Sequence, residues 1–302
     1  MDPTTTESAR LSKSALFLAL GYSPHLGQVE VHRSKAQRRI LVCGSRWGKS
    51  LCASMEACAA ILEPREQSLG WIVAPTRDLV DRTFMRVVDA IKSKFRARIQ
   101  HLDLRIQQIV IANLGGGRSE LRGKSADMPV SLLGEACDYL IIDEAAKLRV
   151  EVWQNHLAQR LVDRKGWVLF LSTPNGCNWL FDLCRQIKMG RDPDGQAWCS
   201  PSWENPHIDR AVIDAERARL PADVFAQEYG GVFLGEELLP CLRCGNDRNG
   251  IGACFFDFEV EGKGTCSDCG GYIHEDGVSM EAGPGRDWHY VPKVGVTAGD
   301  AG

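Results

Sequence analysis

The chain has 302 residues, enough for one large domain or two ordinary ones, with 44% hydrophobic and 25% charged side chains. Those fractions are typical of a soluble globular protein. A net charge of −3 excludes a global basic field. Any nucleic-acid partner must therefore be met by local patches. Two exist, Arg33/Lys35/Arg38/Arg39 and Lys92/Lys94/Arg96/Arg98, and each is also what an ordinary solvated face looks like.

At the N-terminus, Arg10 and Lys13 precede Ala15-Leu16-Phe17-Leu18-Ala19-Leu20. Six apolar residues are too few for a secretory core, and no later run approaches a membrane span. The run predicts a short amphipathic helix in a cytosolic protein. Seven of the twelve cysteines stand singly among apolar neighbours (Cys43, Cys52, Cys58, Cys137, Cys177, Cys184, Cys199) and read as buried reduced thiols.

The chain then reaches Leu41 to Ser50, LVCGSRWGKS, between the apolar run Ile40-Leu41-Val42 and a helical pattern rich in Ala, Leu and Met. Strand, glycine loop and helix in that order are the context of a phosphate-binding loop. Gly44 and Gly48 let the backbone approach a phosphate, and the N–H groups from Gly48 onward open a helix whose dipole favours an anion. Lys49 reaches the β and γ phosphates of ATP, and the Ser50 hydroxyl suits Mg²⁺. The first glycine comes one residue later than the usual spacing, because position 43 is Cys43, and Arg46 lies inside the loop. Gln28 stands twenty residues before Gly48. Its amide, one donor and one acceptor, suits an adenine edge, although a surface Gln is the plain alternative.

The loop helix runs from about 49 to 62 and stops before Pro64. A strand, Gly70 to Ala74, ends at Pro75, and Thr76 is placed to cap a helix over 77–95. Residues 98–122 alternate like a hairpin around Gly115-Gly116-Gly117. Tyr139-Leu140-Ile141-Ile142 then ends in Asp143-Glu144. Paired carboxylates at the end of a buried strand repel each other, which argues for chemistry. Asp143 suits the water shell of the Mg²⁺ that Ser50 ligates, and Glu144 the activation of the attacking water. A helix over 150–162 leads to the strand Trp167–Leu171 and to Ser172-Thr173, whose hydroxyls can sense the γ phosphate. A simple turn is the alternative there. A helix over 177–187, a loop over 188–204, and helices over 210–220 and 222–229 complete a doubly wound, mainly parallel α/β sheet of the P-loop NTPase kind.

GSRWGKS, WIVAPT, YLIIDEAA, LFLSTPNGCNWLFDL, ENPHID and LPADVFAQEYGGVFLG occur in that order. Together they resemble the ATPase domain of large terminase subunits, the motors that pump double-stranded DNA into viral capsids. The resemblance covers roughly residues 20–235. It implies roles for Gln28 at adenine; for Arg46, Gly48, Lys49 and Ser50 at phosphates and Mg²⁺; for Asp143 at Mg²⁺; for Glu144 as base; and for Ser172 and Thr173 in coupling. It also implies a portal protein and a small terminase subunit as partners, a homo-oligomeric ring, no membrane, and a place in the host cytoplasm at the capsid portal. Many terminases carry a trans-acting Arg where this chain has Leu133. Arg122, Arg160 and Arg164 are alternatives, and the finger is otherwise missing.

Cys241, Cys244, Cys266 and Cys269 form two C-x-x-C-G knuckles. Four thiolates at this spacing make a closed structural Zn²⁺ site, with a strand over 254–260 and a turn at Gly262/Gly264. Val294 to Asp300 looks like the first strand of a ribonuclease H-type nuclease, with Asp300 a possible metal ligand, but without the later acids that two-metal cleavage requires. The expected organisation is a motor domain over 1–235, a zinc-ribbon-like module over 236–290, and the start of a nuclease domain over 291–302. A helicase-like ATPase and a non-catalytic zinc-ribbon fragment are the rival readings.

Overall fold

A computed structural model describes residues 12–234, and the backbone alone of 263–265 and 272–274. Eight strands form one sheet: β1 (Arg38–Cys43), β2 (Gln67–Ala74), β3 (Ile99–Asp103), β4 (Gln108–Ala112), β5 (Arg118–Ser125), β6 (Tyr139–Ile142), β7 (Trp167–Ser172) and β8 (Gly195–Ser200). Their order is β3-β4-β5-β2-β6-β7-β1-β8. From β5 to β8 every pairing is parallel. The β3-β4-β5 annex is antiparallel.

The apolar runs of β1, β6 and β7 are strands buried on both faces, as parallel strands under helices must be. Alternate side chains serve opposite layers. Leu41, Ile72, Ile141 and Leu169 pack with Ile61 of α3 (Lys49–Leu62) and with Phe84 and Val87 of α4 (Arg77–Phe95). Ile40, Val42, Val73, Ile142 and Phe170 pack with Leu180 and Phe181 of a helix over Trp179–Lys188.

The predicted short N-terminal helix is present as α1 (Lys13–Ala19). A second helix, α2 (Leu26–Arg33), stands where the sequence predicts no element. Both are fastened to α3 by a buried ion cluster centred on Glu56. His32 Nδ1 and Arg39 Nη1 each lie 2.6 Å from its carboxylate and Lys13 Nζ 2.9 Å. Burial alone would raise the Glu56 pKa, but the His32 hydrogen bond and the Arg39 and Lys13 charges outweigh it and hold the carboxyl well below the usual range. Arg39 also lies 4.3 Å over the Trp167 ring. The first basic patch is therefore partly structural: Arg39 is buried and Arg38 pairs with Asp192. In the second, Arg98 donates to Asn113 O at 2.6 Å, while Lys92, Lys94 and Arg96 are exposed.

Other expectations need correction. Residues 98–122 contribute three strands rather than a simple hairpin, and β5 continues to Ser125 as a parallel partner of β2. The loop expected over 188–204 contains β8, a half-buried edge strand. Thr76 is at the N-cap position of α4, but its side chain makes no cap hydrogen bond. The helix over 150–162 is helical but irregular: one α turn (Val150–Val152), a π turn (Trp153–Leu157), then a 3₁₀ turn (Ala158–Leu161). Cys177 is exposed and Cys199 half-buried, unlike the other five single cysteines. Two short strands, Lys263–Thr265 and Tyr272–His274, pair antiparallel, so Gly264 lies in a strand rather than a turn. The four knuckle cysteines, the strand expected over 254–260, and Asp300 lie outside the described residues. No helix among the described residues is long and apolar enough to cross a membrane.

Candidate active site

The parallel strands deliver their C-terminal ends to one edge of the sheet. Along that edge stand, in spatial order, the β2 turn, Asp143-Glu144 after β6, Ser172 at the end of β7, the glycine loop after β1, and the end of β8. β7 lies between the loop strand and the acidic strand. Ligands of open α/β sheets bind at this edge.

In the loop, Arg46 and Gly48 have φ of 66° and 102°. The left-handed bend at Gly48 opens α3 and directs its first N–H groups back over the loop. Lys49 is buried, and its ammonium donates to Cys43 O at 2.7 Å and Gly44 O at 2.9 Å. Burial lowers its pKa, against the opposing pull of Cys43, Glu144, Asp143 and Glu228. The charges of the acids across the edge thus act on this ammonium. Gln28, buried on the Leu26–Arg33 helix, donates to Gly48 O at 3.1 Å and accepts from the His25 N–H at 3.1 Å. One amide hydrogen and one oxygen lone pair remain uncommitted by these two bonds.

Asp143 is buried and its pKa is raised, first by desolvation; hydrogen bonds from Thr83 and the Glu144 N–H oppose the rise. Thr83 Oγ1 donates to Oδ2 at 2.7 Å, and Glu144 N–H donates to Oδ1 at 3.0 Å. Glu144 has φ 52° and begins the 3₁₀ turn Ala145–Lys147. Lys147 Nζ lies 3.0 Å from Glu144 Oε2, an ion pair out of line for a hydrogen bond. Ser172 Oγ accepts from the Ala146 N–H at 3.2 Å, and Asn178 Nδ2 donates to Ala146 O at 2.9 Å. The segment after β7 is thereby tied on both sides to the turn that carries Glu144. Thr173 is half-buried beside it.

The structure brings together Gln28, Gly44, Arg46, Gly48, Lys49, Ser50, Asp143, Glu144, Ser172 and Thr173 on one edge. The arginine alternatives are engaged within the chain: Arg122 with Glu120 and Glu135, Arg164 with Asp138 at 2.7 Å, and Arg160 with Gly134 O. Leu133 is exposed.

Sequence reasoning missed a clasp on the loop. Ser45 N–H donates to Glu228 O at 2.6 Å, Gly44 N–H to Ser200 O at 2.9 Å, and Asn205 Nδ2 to Arg46 O at 2.8 Å. The Ser202 hydroxyl donates to Ser45 O. A Cβ at Gly44 would lie 2.3 Å from Tyr229 O. Asn205, Glu228 and Tyr229 fall inside ENPHID and EYGG, strings whose residues have no assigned role in the sequence. Thr83 was also missed. Its signal was a polar residue on the apolar face of α4, beside Val80, Phe84 and Val87.

Comparison with known proteins agrees with this fold. The family model described as terminase large subunit, T4likevirus-type, N-terminal, matches residues 40–250. The terminase large subunit of Thermus virus P23-45 is 35% identical over 244 residues, 72% of this chain and 50% of the relative. That of Escherichia phage T5 is 28% identical over 233 residues, 74% of this chain and 51% of the relative. The chain thus spans about half the length of these relatives. The solved ATPase domain of the Thermus phage P74-26 large terminase matches with 33% identity and a TM-score of 0.66, over 74% of this chain and 99% of that one. A large terminase from another thermophilic bacteriophage, solved in complex with ADP, matches at 14% identity and a TM-score of 0.59, over 69% of this chain and 53% of that one, a likeness of fold. The loop, the acidic strand, the hydroxyls between them and the family model converge: the chain belongs to the terminase large-subunit family, in its N-terminal part.

Proposed function

We propose that this chain binds ATP between the Gly44–Ser50 loop and the Asp143-Glu144 turn and hydrolyses it, and that in the whole protein this drives double-stranded DNA into a capsid. One observation carries the reading. The buried Lys49 ammonium is held by two loop carbonyls at the end of β1, on the same sheet edge as the two acids at the end of β6, with β7 and its Ser172 between them.

Gly48 and the following N–H groups would cradle the phosphates, and Lys49 would turn from the loop carbonyls to them. The free donor and lone pair of Gln28 suit an adenine edge. Arg46 would add charge at the phosphates. Ser50 and Asp143 would hold Mg²⁺, and their hydroxyl and carboxylate are the hard oxygen donors that ion takes. Each Asp143 oxygen accepts one donor and keeps a lone pair. When bound, the ion would neutralise charge on the phosphates. Glu144 would orient and deprotonate the attacking water. Ser172, joined to the Glu144 turn through Ala146, would pass loss of the γ phosphate to DNA-gripping surfaces, together with Thr173.

In this reading residues 1–235 are the motor, 236–290 a zinc-ribbon-like module with Zn²⁺ on Cys241, Cys244, Cys266 and Cys269, and 291–302 the start of a nuclease domain with Asp300 as a metal ligand. The assembled protein would be a ring working with a portal protein and a small terminase subunit in the host cytoplasm. The test is Mg²⁺-dependent ATP hydrolysis with linear duplex or single-stranded DNA, against Lys49→Ala as blank. Turnover stimulated by duplex supports the motor. Stimulation by single strands alone would replace it with a helicase-like ATPase. ATP binding without turnover in either case would refute the hydrolytic role for this chain.

A further inference from the structure

Thr83 stands on the buried face of α4, and its hydroxyl does something unusual for that position. A threonine within a helix commonly returns its hydroxyl to the carbonyl one turn earlier. Thr83 instead donates across to the end of β6, to Asp143 Oδ2 at 2.7 Å, sixty residues away in the chain. The other oxygen, Oδ1, accepts from the Glu144 N–H. Two donors from different elements therefore fix the plane of one buried carboxylate. A second hydroxyl lies behind the first. Ser54 Oγ donates to Ser50 O at 2.7 Å and has Thr83 O as a further acceptor at 3.4 Å. The backbone of Ser50 and the carboxylate of Asp143, the two residues assigned to the metal, are thus linked through Ser54 and Thr83. The three elements involved are α3, α4 and the end of β6.

We infer that Thr83 is a positioning residue of the metal site, which sets the orientation of the Asp143 carboxylate relative to Ser50. The inference rests on the nucleotide-site reading above. Groups that orient a metal-bound residue typically change metal affinity or activity by about 10–100-fold when removed. Thr83→Val keeps the shape and deletes the donor. Thr83→Ser keeps the donor and deletes a methyl group.

The test is equilibrium binding of the slowly hydrolysed analogue ATPγS to the full chain, in EDTA and across a Mg²⁺ series, with hydrolysis and thermal unfolding alongside. In EDTA, Thr83→Val should match the unsubstituted chain within about twofold. Its Mg²⁺ requirement, for ATPγS binding and for turnover, should rise about tenfold, and Thr83→Ser should restore both to within about threefold. An unchanged Mg²⁺ requirement in Thr83→Val would overturn the inference while leaving the nucleotide site standing. Equal loss in EDTA and in Mg²⁺, without rescue by Thr83→Ser, would make the residue merely structural and also overturn it. Failure of the unsubstituted chain to bind ATPγS would overturn the nucleotide-site reading and this inference together.

Discussion

Replacing Glu56 with Gln tests the ion cluster that fixes the two N-terminal helices. Gln keeps the size of the side chain and removes its charge. Glu56 is 2% exposed, and two of its three partners are nearly as buried, Arg39 at 4% and His32 at 5%. Lys13, at 34% exposure, is partly screened by solvent and adds little. The dominant loss is the Arg39 guanidinium left in the interior without a counter-charge. Breaking a buried pair from one side costs about 3–5 kcal/mol. In a domain of this size 1 kcal/mol moves Tm by about 2–4 °C, so a fall of about 10 °C is expected at neutral pH.

The pH dependence has a definite sign. The folded-state pKa of Glu56 lies below its unfolded value, so its contribution is complete above the usual glutamate range. It is lost as pH falls below about 4.3. The gap in Tm between the two proteins should narrow on acidification, because only the unsubstituted chain has this charge to lose. Thermal unfolding between pH 7 and the lowest pH that keeps both folded measures it. A gap under about 3 °C at pH 7, or one that stays constant through the acid series, would refute the assignment of Glu56 as the charge that holds the cluster.

Three further substitutions address the site. Glu144→Gln should keep ATPγS binding and lower turnover by about 100-fold or more; steady-state hydrolysis beside equilibrium binding checks it, and near-normal turnover would remove Glu144 as the base. Gly44→Ala places a Cβ 2.3 Å from Tyr229 O and 2.4 Å from Ser202 Oγ, both held in the clasp, so the loop must shift; ATPγS affinity should fall more than about tenfold, because the N–H groups then miss the phosphates. Asn205→Ala removes the half-buried donor to Arg46 O. It should cost only about 1 kcal/mol in unfolding free energy, while weakening nucleotide binding severalfold. Equal affinity would show that the loop holds its shape without that donor.

The legible parts of the fold are those in which local pattern and burial coincide. β1, β6 and β7 are covered on both faces, so their apolar runs could not be read as anything exposed. α4 repeats apolar residues at helical spacing over its whole length. β8 carries no such signal: at the sheet edge its residues are only half-buried, and Gly195 and Gln196 give no apolar face. The helix over Leu26–Arg33 is equally mute. Its buried face includes Gln28 and His32, whose burial depends on partners more than fifteen residues away, Gly48 and Glu56. For the same reason Arg38 and Arg39 read as a surface patch. Charge in the sequence is visible; the distant acid that neutralises it is not.

The displaced first glycine of the loop shows how such distant contacts bear on a local motif. Cys43 is fully buried and is the last paired residue of β1, opposite Ser200. The strand therefore runs one residue further than the usual spacing allows, and the loop leaves it one residue later. At that point the chain passes against Tyr229 O and Ser202, where a side chain would have no room. Gly44 is required by the clasp with the Ser200–Tyr229 stretch, and its position follows where β1 meets β8. What looks like a defect in the loop motif is the local trace of a contact with residues more than 150 positions away. The loop geometry at Lys49 is consequently set jointly by its own glycines and by the Ser200–Tyr229 stretch. Changes in that stretch should alter nucleotide binding even though none of its residues is assigned to the nucleotide.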